Sequence, residues 1–487
     1  MNFSRTYAYF RRSRIMGKFN FNNESGVLVQ LVFADTESDL VTVAKNNSSF
    51  AGKKGETFYL PSVDGDATLI YGLGDKAEVT LEDLRNAGFK ILNTIKGAKA
   101  TEANIQLVEL DHSEADVIKA LTEGAINTEY KFSHKTGEDE KVEVTVNFNN
   151  TSADLAELEA AVKETEVVME GVFIARDLTN ATSNYMHPED LAQAAVDKLE
   201  PLGVKVTVYD EVQMQEMGME AAYSVGKGSN WQPRFVVMEY NNDDSTEDRL
   251  GLVGKAICYD TGGYSLKPSN SMITMHEDMA GAASVIGGLY ALAKNNVKTN
   301  LIATFAASEN TVSGSSYRVG DIIGSLSGKT IEIQNTDAEG RVTLADSVYY
   351  TSKQDNVVGL IDIATLTGAA ISALGSEYTG VITNNEEFYA DVKASADAVG
   401  EKVWLLPNDQ VFKDANKSKV ADLTNSAKGG AGTATAGLFI GEFLDNQELP
   451  WVHLDVAGTS WYNAAKGYLP ERATGYHVKL FYHLLAK

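Results

Sequence analysis

The sequence predicts an α/β protein: a small N-terminal α/β domain, then a larger C-terminal domain built on a mixed, mostly parallel sheet flanked by helices. Three observations predict it. The 487 residues exceed what one ordinary core accommodates, so two domains are expected. Beyond residue 200, short apolar runs alternate with segments of helical period, the pattern of a sheet with helices on both faces. Several of these runs close on polar clusters, and in open α/β sheets the chemistry gathers beyond the carboxyl ends of strands.

Residues 1–17 read as a basic extension, with Arg5, Arg11, Arg12 and Arg14, Lys18 just beyond, and no acid. No apolar stretch of the kind a secretory leader needs is present. An organellar presequence and a true start at Met16 both stay open, and no function is read into the segment. Residues 18–152 mix apolar runs at 27–33, 67–71 and 142–148 with a helix-like segment at 113–124, which reads as the small α/β domain. Its acidic patch at 137–140 is a solvated turn. Residues 153–177 carry Leu155, Leu158, Val162, Val168 and Val172 at helical spacing and predict a linker helix. The larger domain occupies residues 178–487, with strands expected at 204–209, 235–240, 250–257, 301–305, 357–363 and 452–456. Asp260-Thr-Gly-Gly closes one of these runs and Ser308-Glu-Asn closes another.

Composition excludes several classes. Apolar residues at 44% and charged residues at 22% are globular values. No apolar run approaches the ~18 residues that span a bilayer, so a soluble protein with no membrane partner is expected. A net charge of −25 argues against nucleic acid, because duplex binding draws its affinity from Lys and Arg on phosphates. The single cysteine, Cys258, cannot form an intramolecular disulfide, which fits a cytoplasmic protein.

Familiar catalytic motifs are absent. The 7 histidines are scattered and none forms H-E-x-x-H, so a histidine-based zinc site is not expected. There is no G-x-S-x-G elbow. Gly324-Ser-Leu-Ser-Gly328-Lys-Thr imitates a phosphate loop but is one residue short between its glycines.

What remains is dense in carboxylates. Gly254-Lys255-Ala-Ile-Cys-Tyr-Asp260-Thr-Gly-Gly-Tyr-Ser-Leu-Lys267-Pro is followed by Met275-His-Glu-Asp278-Met and by Asn335-Thr-Asp337-Ala-Glu339-Gly-Arg341. Two glycines after Asp260 let the backbone turn sharply and approach a ligand. Asp278 is expected in the first turn of a helix, where the dipole favours a carboxylate. Asp337 and Glu339, two apart in an extended segment, would share a face. Four carboxylates converging on one pocket would repel unless cations sat between them, and hard oxygen ligands suit Zn²⁺, Mn²⁺ or Mg²⁺. On spacing alone the alternative stays open, since acids at turns and helix starts are ordinary capping residues.

These segments resemble the signature regions of the leucyl (cytosol) aminopeptidase family of two-metal metallopeptidases. The resemblance is strongest over Asn335-Thr-Asp-Ala-Glu-Gly-Arg-Val-Thr-Leu-Ala-Asp346. Flanking segments agree in order, from Ala175-Arg-Asp-Leu-Thr-Asn180, Met217-Gly-Met and Val225-Gly-Lys-Gly-Ser229 to Ala364-Thr-Leu-Thr-Gly368, Ala431-Gly-Thr433 and His453-Leu-Asp-Val-Ala-Gly-Thr459. It runs from Ala175 to the C-terminus and is loose before that. It implies an enzyme that removes N-terminal residues from peptides with a free α-amine, through a hydroxide bridging two divalent ions, Zn²⁺ or Mn²⁺ or else Mg²⁺. Carried over by position, it implies Lys255, Asp260, Asp278, Asp337 and Glu339 as metal ligands, with Asp260 and Glu339 shared between the ions. Lys255 would then be a neutral amine, its pKa depressed by the metals. Lys267 would stay cationic and stabilise the oxyanion. Arg341 would hold a bicarbonate that relays a proton. The Leu366 carbonyl would receive the substrate amine, while Met275, Asn335, Ala338, Thr365 and Gly368 border the first side-chain pocket.

The chain departs from the family pattern at His276, where Lys is usual, and at Ala256, Cys258, Tyr259 and Ala280. None of these removes a ligand or Lys267; they bear on metal preference and substrate range. Cys258 reads as core. The resemblance also implies a homohexamer whose sites open to an enclosed cavity, and the apolar segment 436–444 is expected to exceed the needs of one core. Two other roles stand against the enzyme: a catalytically silent member of the family, which the intact ligands oppose, and a DNA-binding regulator, which the charge opposes.

Overall fold

The computed structural model of the protein describes residues 17–62, 67–135 and 142–486. The basic extension up to residue 16 and the acidic turn at 137–140 lie outside the described residues. The chain divides into two compact units, residues 1–169 with 464–470, and residues 170–463 with 471–487. The division falls inside one helix, Leu155–Asn180.

The first unit is built on a six-stranded sheet in the order Lys18–Phe21, Thr145–Asn149, Glu102–Gln106, Val27–Phe33, Thr68–Gly74, Thr57–Leu60. All neighbours are parallel except the last pair. Helices Leu81–Gly97 and Glu114–Asn127 cover it, and their buried Leu84, Ile91, Ile95, Val117, Ile118 and Leu121 join Val29, Leu69, Ile105 and Phe148 in one core. Both helices start on side-chain caps, Thr80 accepting from the Asp83 amide and Ser113 from the Asp116 amide, which satisfy orphan N–H groups. A ladder of buried amides crosses the sheet. Asn104, Asn147 and Asn149 donate to the carbonyls of Glu24, Ser25 and Asn23 and so pin the turn between the first two strands.

The second unit is built on a nine-stranded sheet. Its path runs Val403–Leu405, Thr379–Thr383, Trp451–Asp455, Val357–Ala364, Arg249–Gly254, Asn300–Asn310, Arg234–Asn241, Lys205–Tyr209, with Ala256–Asp260 paired to the far end of Asn300–Asn310. The central pairings are parallel; those of Thr379–Thr383 with Trp451–Asp455, and of the last three strands of the path with one another, are antiparallel. The sheet is mixed and mostly parallel, as expected. Helix Ala280–Lys294 packs on the central strands from one side with Val478–Leu485 behind it, and Glu339–Ser352 packs on them from the other, with Glu220–Gly226 and Gly432–Gly441 against it. Covered on both faces, Asn300–Asn310 is buried at every position. Such strands read as continuous apolar runs rather than alternations.

The expected run at 250–257 is two strands, Arg249–Gly254 and Ala256–Asp260, parted at Lys255. Lys255 itself bonds to two neighbouring elements. Its N–H donates to Ile363 O and its carbonyl accepts from Ala282 N. The segment 436–444 does not exceed the core of its own unit: Leu438, Phe439, Ile440, Phe443 and Leu444 are buried with Val348, Leu360 and Trp451. It offers no apolar surface to another subunit. Among the described residues no helix is long and apolar enough to cross a membrane.

Candidate metal centre

Three carboxylates meet where the central strands end. Asp260 is the last residue of strand Ala256–Asp260, Asp337 lies in the turn before helix Glu339–Ser352, and Glu339 is that helix's first residue. Each offers one oxygen, and these lie within 4.8 Å of one another. The segment holding Asp337 and Glu339 is a turn running into a helix, not the extended stretch expected from the sequence. The two carboxylates converge because the helix start swings Glu339 inward, not through strand alternation. Asp278 lies two residues ahead of helix Ala280–Lys294 rather than in its first turn. A short 3₁₀ turn, Met275–Glu277, delivers it, and its carbonyl accepts from Ile257 N at 3.2 Å.

Two lysines hold the acids together. Lys255 Nζ donates to Asp278 Oδ1 at 2.6 Å and to Thr365 O at 2.8 Å, and lies 3.0 Å from Glu339 Oε1. Lys267 Nζ lies 2.8 Å from Asp260 Oδ2 and 2.7 Å from Asp337 Oδ1. Lys255, Asp260, Asp278 and Glu339 are all buried, and Asp337 partly so. Close approaches make room for them. A side chain at Gly340 would strike Lys255 Cε at 2.3 Å, and one at Gly281 would strike Ile363 O at 2.2 Å. The turn after Asp260 needs Gly262 and Gly263, both in the left-handed region with φ of 82° and 62°.

Electrostatics record the crowding. Burial raises the pKa of Asp278, Glu339 and Asp337, and neighbouring carboxylates raise them further, while the lysines pull the other way. Burial works against the charge on Lys255 and Lys267, yet the surrounding acids outweigh it and raise both pKa values. Asp278 Oδ2 and Glu339 Oε2 are buried with no hydrogen-bond partner. Buried acceptors of this kind cost stability unless something positive meets them. Hard oxygen donors at this separation, two of them waiting for a partner, fit divalent cations.

The remaining expected residues are placed as follows in the chain's elements. Arg341, third in helix Glu339–Ser352, has a buried Nε without a partner; burial draws its pKa down to about 10, against the pull of Glu339 and Asp455. Thr365 Oγ1 donates to Asp278 Oδ1 at 2.7 Å, which brings Thr365 to the site; Leu366 follows it in the chain and Gly368 begins helix Gly368–Leu374. Asn335 caps the Asp337 turn, its Oδ1 accepting from Asp337 N at 2.9 Å, and the Ala338 carbonyl accepts from Asn425. Met275 opens the 3₁₀ turn that carries Asp278 and is partly buried. His276 is buried edge-on to Trp461, and burial, aided by Arg472, draws its pKa down to about 4, so it adds no charge near Asp278 at neutral pH. Cys258 is fully buried and burial pushes its thiol well up, as a core residue requires.

Three residues that were given no role in the sequence reading shape the site. Asn310 donates to Asp260 Oδ1. Asn425 holds the 334–338 turn through Gln334 N and Asn335 O. Asp455, at the end of strand Trp451–Asp455, accepts from Leu366 N at 3.2 Å and from Thr367 Oγ1 at 2.6 Å. Asn310 and Asp455 each close an apolar run, and Asp455 also lies in the matched segment 453–459.

Comparison with known proteins agrees over nearly the whole chain. Residues 173–482 match the family model described as cytosol aminopeptidase family, catalytic domain, and residues 21–137 match that family's N-terminal domain. The probable cytosol aminopeptidase of Treponema denticola is 42% identical over 473 residues, covering 96% of this chain and 99% of that one. That of Clostridium perfringens is 44% identical over 456 residues, covering 91% and 92%. The cytosol aminopeptidase of Rickettsia prowazekii is 36% identical over 452 residues, covering 90% and 89%. Among solved structures, a bottromycin maturation enzyme in complex with Mn superposes with a TM-score of 0.86 at 28% identity, covering 94% of this chain and 98% of that one. A mutant of tomato leucine aminopeptidase gives 0.86 at 28%, covering 96% of each.

Proposed function

Because the chain belongs to the cytosol aminopeptidase family, we propose that Lys255, Asp260, Asp278, Asp337 and Glu339 hold two divalent cations beside which the first peptide bond of a substrate is cleaved. The protein is a metal-dependent aminopeptidase; to that we add roles for its residues. One observation carries them: Asp260, Asp337 and Glu339 converge within 4.8 Å, with Asp278 tied to Glu339 through Lys255.

Asp260 and Glu339 are the ligands that two ions would share. Zn²⁺, Mn²⁺ or Mg²⁺ bound there lowers the pKa of water and polarises a carbonyl oxygen. Lys255 joins the ligands as a neutral amine, because positive charge among the acids removes what now holds its proton. Lys267 keeps its proton and faces the developing oxyanion. The Leu366 carbonyl, on a loop anchored by Asp455, accepts from the substrate's α-amine. Met275, Asn335, Ala338, Thr365 and Gly368 border the pocket for the first side chain. Arg341, buried beside Glu339 with an unpartnered Nε, would hold a bicarbonate, which would supply a proton relay there. We further propose a homohexamer acting in the cytoplasm on peptides.

The test is a panel of aminoacyl chromogenic substrates with and without Mn²⁺ or Zn²⁺. A strong chelator should abolish activity and added metal restore it, Asp337→Ala should lose metal and activity together, and N-acetylated peptides should be inert. Full activity in chelated protein, with no metal by elemental analysis, would sink the reading. So would internal fragments released from a blocked peptide.

A further inference from the structure

Asp260 is the carboxylate on which both ions of the proposed function depend, and its two oxygens stand in different surroundings. Oδ1 accepts from Gly262 N at 2.8 Å and from Asn310 Nδ2 at 2.8 Å. Oδ2 faces the ammonium of Lys267 at 2.8 Å. A carboxylate oxygen has two lone-pair sites, so Oδ1 is saturated by neutral donors and Oδ2 is not.

We infer that Asn310 is a positioning residue for the metal centre: it takes up Asp260 Oδ1 and leaves Oδ2 as the oxygen that carboxylate offers to cations. Asn310 ends the fully buried strand Asn300–Asn310 and is 0% exposed. Its amide has two N–H donors and uses both, the second on Thr336 O at 2.9 Å. One side chain thereby ties the strand end carrying Asp260 to the turn carrying Asp337, and sets the separation of two ligands on different elements. The orientation of the amide is fixed by its surroundings. Flipped, its oxygen would face two acceptors, Asp260 Oδ1 and Thr336 O. Asn310 Oδ1 instead has no hydrogen-bond partner and lies where a Cβ on Gly263 would come within 2.8 Å of it. The amide is also the right chemistry: an aspartate there would set like charge against Asp260, whereas a neutral donor orients the ligand and leaves its charge for the ions. Any cation that Asp260 serves would then be met by Oδ2, the oxygen left without a neutral donor.

This inference rests on the two-metal reading, and one experiment separates them. Metal-free protein is titrated with MnCl₂ by calorimetry, and thermal unfolding is followed with and without Mn²⁺, for the wild type, Asn310→Ala and the near-isosteric Asn310→Leu. Failure of the wild type to bind two ions overturns the two-metal reading itself. With that reading intact, both variants should bind Mn²⁺ about 10–100-fold more weakly, the usual cost of losing a partner behind a ligand. Their rise in Tm on adding metal should shrink accordingly. Wild-type affinity in a folded variant overturns the inference, as does a fall in Tm that is equal with and without metal. If neither variant folds, a structure of the Mn²⁺-loaded wild type decides: Asp260 Oδ1 on Asn310 with Oδ2 on the ions supports the inference, and Oδ1 coordinated to an ion overturns it.

Discussion

Lys255 and Lys267 look alike in their pairings, each lying between two carboxylates, yet they are built for different work. Lys255 is enclosed, with Gly340 and Gly281 cleared for it and the Thr365 carbonyl as a third partner. Lys267 stands in a loop and keeps some access to solvent. A positive group at the rim of the carboxylates can meet charge that develops on a substrate; a group walled in among them cannot. Lys267→Ala should therefore lower kcat by about 10²–10³, the range for removing one oxyanion donor, while the metal content stays at the wild-type value. Near-normal kcat would assign Lys267 to structure. The residues that carry charge were legible in the sequence because they sit in a highly specific motif. Those that aim them were not. Asn310 and Asp455 act through hydrogen bonds to segments 50 and 89 residues away, and no local pattern encodes such a partner.

At the level of elements, long apolar runs were readable because strands buried on both faces must be apolar throughout. Strands Thr379–Thr383 and Val403–Leu405 escaped notice: five and three residues long, they owe their state to pairing with Trp451–Asp455 and with each other. The path into helix Glu339–Ser352 reads as extended in the sequence for a related reason. A turn held by Asn335, Asn425 and Asn310 leaves no period to detect. That helix also carries a titratable anchor. Asp346 is fully buried and accepts from Ala222 N and Leu326 N. Burial pushes its carboxyl up to about 7, against these hydrogen bonds. A folded-state pKa above the unfolded value of 3.8 means the folded state binds the proton more tightly. The stability so contributed is complete below that unfolded value and is lost as pH rises through about 7. Asp346→Asn lacks this titration. The unfolding free energy of wild type relative to the variant should fall between about pH 4 and pH 7 and level off above. Parallel denaturant titrations across that range would measure it, and a flat difference would show that Asp346 is ionised throughout.

For the whole molecule, the chain's own distribution of apolar surface bears on assembly. The segment 436–444 is consumed by its own core, so it cannot drive subunits together. Other groups are left over: Leu266, Ile273, Trp404, Val411 and Val420 are all exposed in the unit that carries the metal centre. Exposed apolar side chains favour a partner where they adjoin one another, and closed symmetric assemblies are the rule for soluble oligomers. A chain with a net charge of −25 repels its own copies through solvent, so subunits that do associate must meet over faces poorer in charge. Enclosed sites would also explain how an enzyme that reads only a free amine spares folded proteins, since whatever cannot enter cannot be cut. Light scattering at near-physiological salt should report about six times the chain mass of 52.6 kDa. Replacing Ile273 and Trp404 by Asp should lower that mass, because each buried charge would have to be desolvated at the interface. A wild-type monomer that keeps full activity would remove both the hexamer and the enclosure that its selectivity would rest on.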